Sequence, residues 1–285
     1  MTTPTSEWVV GHDGSAGASQ ATDWALTQAA CRRVHITLVR SWQIPAVDFP
    51  LPAEAIEEFA PGQACKNFAE VAARAHTLDV GLSQRIVRGA ATQTVLDASA
   101  DGSLLVVGTR GLGGFRRLLL GSVSSQCATH GLVPTVVVPS STTTDRPVRR
   151  IVVGVDGSER SQRALAWATD FASEDCELMV VGAWMPSKSG YAAVTQHDTH
   201  ELEHTRDRFD EVVDRAEAEA GARRFDRRFA YADPTTTLLQ EADNAGLLVV
   251  GQRGHSGLSA AVLGSVSTHV LHHSLIPVAV VPGNE

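Results

Sequence analysis

From Val106 the chain reads Val-Val-Gly-Thr-Arg-Gly, and 143 residues later, from Val249, it reads Val-Val-Gly-Gln-Arg-Gly. Each stretch runs on to Gly-Ser-Val-Ser, at Gly121–Ser124 and again at Gly264–Ser267, so each copy carries G-x2-G-x9-G-S. The offset holds elsewhere. Gly11, Asp13, Gly14, Ser15 and Trp24 return as Gly154, Asp156, Gly157, Ser158 and Trp167, and Pro134 and Pro139 return as Pro277 and Pro282. Val9–Ala25 matches Val152–Ala168 at 9 of 17 positions and Leu104–Ser124 matches Leu247–Ser267 at 13 of 21, whereas the middles match poorly. A duplicated domain whose site is built from its two ends drifts in this way. A period so long is a domain duplication and not a solenoid, whose repeats run to roughly 20–50 residues. Two domains are expected, residues 1–143 and 144–285, each long enough to bury its own core. Ser140–Pro147, polar and bounded by Pro139 and Pro147, is the expected linker.

Within each copy, apolar runs bounded by turn residues alternate with helical patterns, the signature of βαβ units and a parallel sheet. In the first copy strands are expected at Ser6–Gly11, His35–Ser41, Leu82–Val87, Leu104–Gly108 and Thr135–Val138. Helices fall near Ala18–Arg32, Ala53–Leu78, Thr92–Ala100 and Ser122–His130. In the second copy strands are expected near Ile151–Val155, Leu178–Ala183, Arg227–Tyr231, Leu247–Gly251 and Val278–Val281. The Leu-Leu-Val-Val strand is continuously apolar in both copies, as a central parallel strand covered on both faces must be. The fold class is α/β: two tandem Rossmann-like domains, each an open five-stranded, mainly parallel sheet with helices on both faces. Ligands in such sheets sit beyond the carboxyl ends of the strands, where the strand order reverses.

The glycine pattern suits phosphate. Gly108 ends the central strand and Gly111 lies in the turn after it, so backbone N–H groups can approach a ligand closely. Gly121 and Ser122 then open a helix, whose free N–H groups and positive dipole end favour an anion. Ser122 and Ser265 stand at the helix start, and their hydroxyls can donate to phosphate as well. Asp13 and Asp156 end the first strand of each copy, facing the same crevice. Each carboxylate can accept from ribose hydroxyls or an adenine amine, or stand beside a phosphate-bound metal; the same Asp-Gly-Ser also makes an Asx turn or helix cap, and the two roles are compatible.

Charge and cysteine usage exclude other classes. A net charge of -8 and an isoelectric point near 5.8 argue against nucleic acid as a partner. The only lysines are Lys66 and Lys188, so basic contacts here are arginine contacts. The four cysteines, Cys31, Cys65, Cys127 and Cys176, form no C-x-x-C and have no counterparts between copies, which favours reduced thiols in a cytoplasmic protein. The N-terminus lacks the pattern of a signal peptide, and no apolar run approaches the length of a membrane span, so no membrane association is expected.

At these residues the chain resembles the universal stress proteins, in their ATP-binding subgroup and with two domains in tandem. Val-Gly-x-Asp-Gly-Ser follows the first strand of each copy in this pattern, except that His12 fills the variable position of the first; G-x2-G-x9-G-S-V-S follows the fourth, and the resemblance spans the chain. It implies the adenine-nucleotide alpha hydrolase-like variant of the fold, with ATP and Mg²⁺ bound once per domain. Adenine would lie against Ser41 and Val107 in the first copy and Ala183 and Val250 in the second. Ribose and phosphates would fall to Asp13, Gly108, Gly111, Gly121, Ser122 and Val123, and in the second copy to Asp156, Gly251, Gly254, Gly264, Ser265 and Val266. Arg110 and Arg253 lie inside the motif and join these candidates. The resemblance also implies pairing through the apolar last strands, between the two domains of a chain or between the chains of a homodimer.

There are departures. The family's Gly-x-Pro after the third strand is Ala232-Asp233-Pro234 in the second copy but Gly89-Ala90-Ala91 in the first. Arg116 and Arg117 in the first glycine loop are replaced by Ser259 and Ala260 in the second. Arginine pairs with phosphate oxygens, so the first site is expected to hold a triphosphate more tightly, unless both arginines are solvated surface.

Other motifs lead nowhere. His200-Glu201-Leu202-Glu203-His204 spells H-E-x-x-H, but it lies in a charge-rich helix with no counterpart in the first copy, and a solvated face is expected. Arg110–Gly114 is half a dinucleotide fingerprint on the wrong strand, and Ser15 and Ser158 lack the glycine of a nucleophile elbow. His130 and His273 recur at a helix C-terminus, where the dipole suits an imidazolium. No catalytic residue and no dedicated protein metal site are expected. The functional expectation is a nucleotide-dependent stress-response protein with little or no turnover. A slow ATPase of the related folds is the alternative, and a ligand-free dimerising scaffold a further one.

Overall fold

Two Leu-Leu-Val-Val-Gly segments organise the chain, Leu104–Gly108 (β4) and Leu247–Gly251 (β9), with their leucines and valines all buried. The computed structural model describes residues 7–43, 68–111, 120–186, 196–253 and 262–283. By its internal contacts the chain divides into a first unit, Met1–Pro147, and a second, Val148–Glu285.

In the first unit β4 is flanked by β1 (Glu7–Gly11) and β5 (Thr135–Val138), and β1 by β2 (His35–Trp42), which pairs with β3 (Leu82–Arg88). The order is β3-β2-β1-β4-β5, every pair parallel. Helices α1 (Ala16–Ala30), α2 (Phe68–Thr77), α3 (Ala91–Ser99) and α4 (Ser122–His130) make the described crossovers. The second unit repeats the order with β6 (Arg150–Gly154), β7 (Glu177–Trp184), β8 (Asp226–Tyr231), β9 and β10 (Val278–Val281), as β8-β7-β6-β9-β10, again parallel throughout. Its helices are α5 (Glu159–Phe171), α6 (Gln196–Glu219), α7 (Pro234–Glu241) and α8 (Ser265–His273).

The burial gradient across each sheet follows the composition. Central strands are apolar and covered on both faces, whereas β3 and β8 carry Ser83, Gln84 and Arg85, and Asp226, Arg227 and Arg228, as edge strands do. Arg227 bridges Asp214 and Glu217 of α6, which fixes that charge-rich helix against the β8 edge. The motif helices α1 and α5 start where a hydroxyl can cap them. Ser15 Oγ accepts from the Ala18 N–H and Ser158 Oγ from the Ser161 N–H, each cap contributing about 1 kcal/mol. Trp24 of α1, only 1% exposed, anchors that helix in the core.

The expected strands appear within a residue or two of their expected ends, and β4, β5, β9 and β10 to the residue. Helix α1 begins two residues before Ala18 because Ser15 is the cap. Of the helix expected at Ala53–Leu78, the part up to residue 67 lies outside the described residues. The expected linker is fastened rather than free. Three side chains of α1 donate to its carbonyls: Gln20 to Thr142, Thr27 to Thr144 at 2.6 Å and Gln28 to Arg146 at 3.2 Å.

Candidate functional site

The strand order reverses between β1 and β4 in the first unit and between β6 and β9 in the second. There the carboxyl ends of neighbouring strands diverge into crossovers on opposite faces and leave a crevice. At the end of β1 the chain turns sharply through Asp13-Gly14-Ser15. Asp13 Oδ1 accepts from the Ser15 N–H at 2.9 Å, and Gly14 takes φ +86°, a conformation that side chains resist. The second unit builds the same Asx turn, with Asp156 Oδ1 accepting from Ser158 at 2.9 Å and Gly157 at φ +82°. So the aspartates do make the turn, and the turn aims each carboxylate into the crevice.

An arginine lies against each turn, supplied by a different element in each unit. In the first, an Nη of Arg40 on β2 lies 3.5 Å from where a Gly14 Cβ would stand. In the second, Arg208 of α6 covers Gly157 and donates to its carbonyl at 3.2 Å. The two arginines do not align in the repeat, so pattern matching missed them.

The glycines after β4 are required by close approach. A Cβ on Gly111 would overlap Asp13 Oδ2, and one on Gly108 would overlap the carbonyl of Gly17 in α1. In the second unit Arg160 stands in place of Gly17, and a Cβ on Gly251 would meet its carbonyl oxygen at 3.1 Å.

Across the crevice α4 and α8 start without a side-chain cap, since Gly121 and Gly264 are the cap residues. Ser122 and Ser265 are the first helical residues, exposed and not capping. Their first-turn N–H groups therefore face a potential anion unblocked. The last serine of each Gly-Ser-Val-Ser ties the helix start to the strand end. Ser124 Oγ donates to the Thr109 carbonyl at 3.1 Å and Ser267 Oγ to the Gly251 carbonyl at 2.7 Å.

These pieces enclose a cavity of about 520 Å³ in the first unit and about 230 Å³ in the second. The first is lined by Asp13, Ser41, Val107, Gly108, Arg110 and Gly111, and across from them by Gly121, Ser122 and Val123. The second is lined by Asp156, Ala183, Val250, Gly251, Arg253, Gly264, Ser265 and Val266. Gly254 lies outside the described residues, as do Arg116, Arg117, Ser259 and Ala260. The cavities thus gather the candidate residues of each copy from separate stretches of chain.

The family model for universal stress proteins matches residues 8–139 and again 147–282. The chain belongs to the universal stress protein family. A universal stress protein of Mycobacterium tuberculosis is 31% identical over 295 residues, covering 95% of each chain. One from Mycolicibacterium smegmatis is 31% identical over 298 residues, covering 96% of each. In fold, the chain is similar to the crystal structure of a universal stress protein from Archaeoglobus fulgidus, with a TM-score of 0.70 at 20% identity over 98% of this chain and 99% of that one.

Some walls of this universal stress protein's cavities were not among the candidate residues. His12 and Ser124, inside the repeated motifs, also line the first, as do Ala18, Val39, Ala91, Val95 and Leu120 outside them. Val39 was legible in principle, being two residues before Ser41 on the same face of β2. Val95 and its counterpart Leu238 were not, because they lie inside α3 and α7, away from the motif residues. His12 is 9% exposed, and its Nε2 is buried without a hydrogen-bond partner. Burial holds its pKa below the ordinary 6.5; Asp13 opposes the shift and Arg40 adds to it. Its counterpart is Val155.

His200, Glu201 and His204 are exposed on α6, and among the described residues no group of three His, Cys, Asp or Glu side chains is placed to hold a metal. Cys31, Cys127 and Cys176 form no disulfide among the described residues, and burial pushes the Cys127 thiol up to about 12, so it stays protonated and unreactive. No helix among the described residues is long and apolar enough to cross a membrane.

Proposed function

We propose that each unit binds an adenine nucleotide, with ATP as the ligand, and that occupancy rather than turnover is what this universal stress protein transmits. The observation that carries the reading is the meeting, twice, of a glycine cradle, an uncapped helix start and an aspartate at one reversal of strand order. Asp13 and Asp156 accept from the ribose. Gly108, Gly111 and Gly121 with Ser122 and Val123, and Gly251, Gly254 and Gly264 with Ser265 and Val266, hold the phosphates by backbone N–H groups. Ser41, Val107, Ala183 and Val250 border the base, Arg110 neutralises phosphate charge, and Arg253 holds the matching place in the second unit. Gly111 suits close approach, since a Cβ there would run into the Asp13 carboxylate at the cavity wall. Asp13 or Asp156 would stand beside a Mg²⁺ brought in with the nucleotide, and the ion would supply charge neutralisation.

Low turnover follows from the groups at hand. Among the described residues the titratable side chains lining the first cavity are His12, Asp13 and Arg110. One oxygen of Asp13 is engaged by the Ser15 N–H, and the Nε2 of His12 is sealed from solvent, so neither is set to activate water. The apolar last strands β5 and β10 are the proposed pairing edges, between the units or in a homodimer, and the cytoplasm is the proposed location.

The test is to denature the purified chain and identify the released nucleotide and its ratio to protein. Bound ATP that survives incubation supports the reading. Accumulating ADP replaces it with a slow ATPase, and an empty chain with no affinity on titration leaves a scaffold.

A further inference from the structure

The cavities differ in three respects that act in one direction. The first is bulk. Val95 and Ala91 line the first cavity where Leu238 and Pro234 line the second. Both methyls of Leu238 press on the strand end, 3.1 and 3.2 Å from where a Gly154 Cβ would stand, whereas Val95 stays at 3.4 and 3.5 Å from the equivalent point on Gly11. The volumes, about 520 against about 230 Å³, follow the same order.

The second is the start of the neighbouring helix. Before α3 stands Ala90, which offers no side-chain cap. Before α7 stands Asp233, whose Oδ1 accepts from the Thr236 N–H and Oγ1, each at 2.8 Å. That carboxylate offsets the positive end of α7 and adds a negative charge one residue before Pro234, which lines the smaller cavity together with Asp156.

The third is the motif arginine. Arg253 Nε is committed to the Val262 carbonyl at 2.5 Å. Arg110 is exposed, and its guanidinium makes no hydrogen bond or ion pair among the described residues, so it remains available to an anion.

We propose that the two cavities are matched to ligands of different phosphate length: the first to a nucleoside triphosphate, the second to a nucleoside monophosphate. The assignment rests on the nucleotide-binding reading above and narrows it: ATP stays the ligand of the first unit, and a monophosphate replaces it as the preferred ligand of the second. A triphosphate entering the second unit meets less space, one more carboxylate and an arginine already engaged. A monophosphate needs only the glycine cradle and the start of α8.

Calorimetric titration of the full chain with ATP, and separately with AMP, tests this. One ATP is expected to bind per chain tightly, with a second at least tenfold weaker. Gly111→Val, which drives a side chain into Asp13, removes the tight ATP phase and leaves AMP binding at one per chain. In that background Leu238→Val with Asp233→Asn raises ATP affinity about tenfold; asparagine keeps the helix cap while removing the charge, and an unchanged melting curve shows the fold intact. If that pair disturbs the fold, Asp233→Asn alone still tightens ATP binding threefold or more. Two ATP bound with equal affinity, or tight ATP binding retained by Gly111→Val, overturns the assignment and leaves nucleotide binding itself standing. A chain that binds neither nucleotide overturns both.

Discussion

His12 carries a penalty that Val155 avoids. A buried ring nitrogen without a partner costs about 1–3 kcal/mol, and folding must also keep the ring neutral. Above pH 6.5 the ring is neutral in both states and titration adds nothing. Below 6.5 the unfolded chain takes up a proton that the folded chain refuses, so stability falls as the pH falls, until the lowered native pKa is passed. His12→Val is expected to raise the stability of the first unit by about 1 kcal/mol at neutral pH and to flatten this acid-side loss. Denaturant melts from pH 5 to 8 check both. Equal slopes in the two proteins would mean the ring finds a partner in solution. Such a feature is hard to read from a sequence, because Gly-His-Asp-Gly-Ser and Gly-Val-Asp-Gly-Ser look like one motif, and only the surroundings of the ring separate them. Gly111 is the reverse case. Its place in the repeat pointed to close approach, and Asp13 turns out to be what approaches.

The elements divide into those whose ends are chemically marked and those whose ends are not. β4 and β9 were legible to the residue because a continuous apolar run ends in glycine. Helix α5 starts at Glu159 because Ser158 caps it, and Ser158→Ala should destabilise the second unit by about 1 kcal/mol. Asp156 should keep its Asx bond to the residue 158 N–H, so nucleotide affinity there should change less than twofold; chemical denaturation beside a binding titration separates the two effects. A collapse of binding would mean the cap also holds the site. The braces on the Asp-Gly-Ser turns were not legible. Arg40 comes from a strand and Arg208 from a helix, so the same physical need is met by residues that share no register.

For the molecule as a whole, the duplication was readable from the offset of 143 residues, but the status of the junction was not. A polar Ser-Thr stretch between prolines reads as a linker and carries no mark of being held, yet Gln20, Thr27 and Gln28 tie its carbonyls to α1. At about 0.5–1.5 kcal/mol per hydrogen bond, a first unit cut after Ser140 should be less stable than one cut after Pro147 by about 1.5–4.5 kcal/mol. Paired denaturant melts of the two fragments measure that gap, and identical midpoints would reduce the fastening to a surface accident. The residues of α5 that correspond to the three donors are Arg163, Asp170 and Phe171, which offer no matching set. The copies are therefore not interchangeable beads. Helix α1 holds the segment that follows its own domain, and α5 offers no such set of donors. The order of the halves is recorded on one face of a helix.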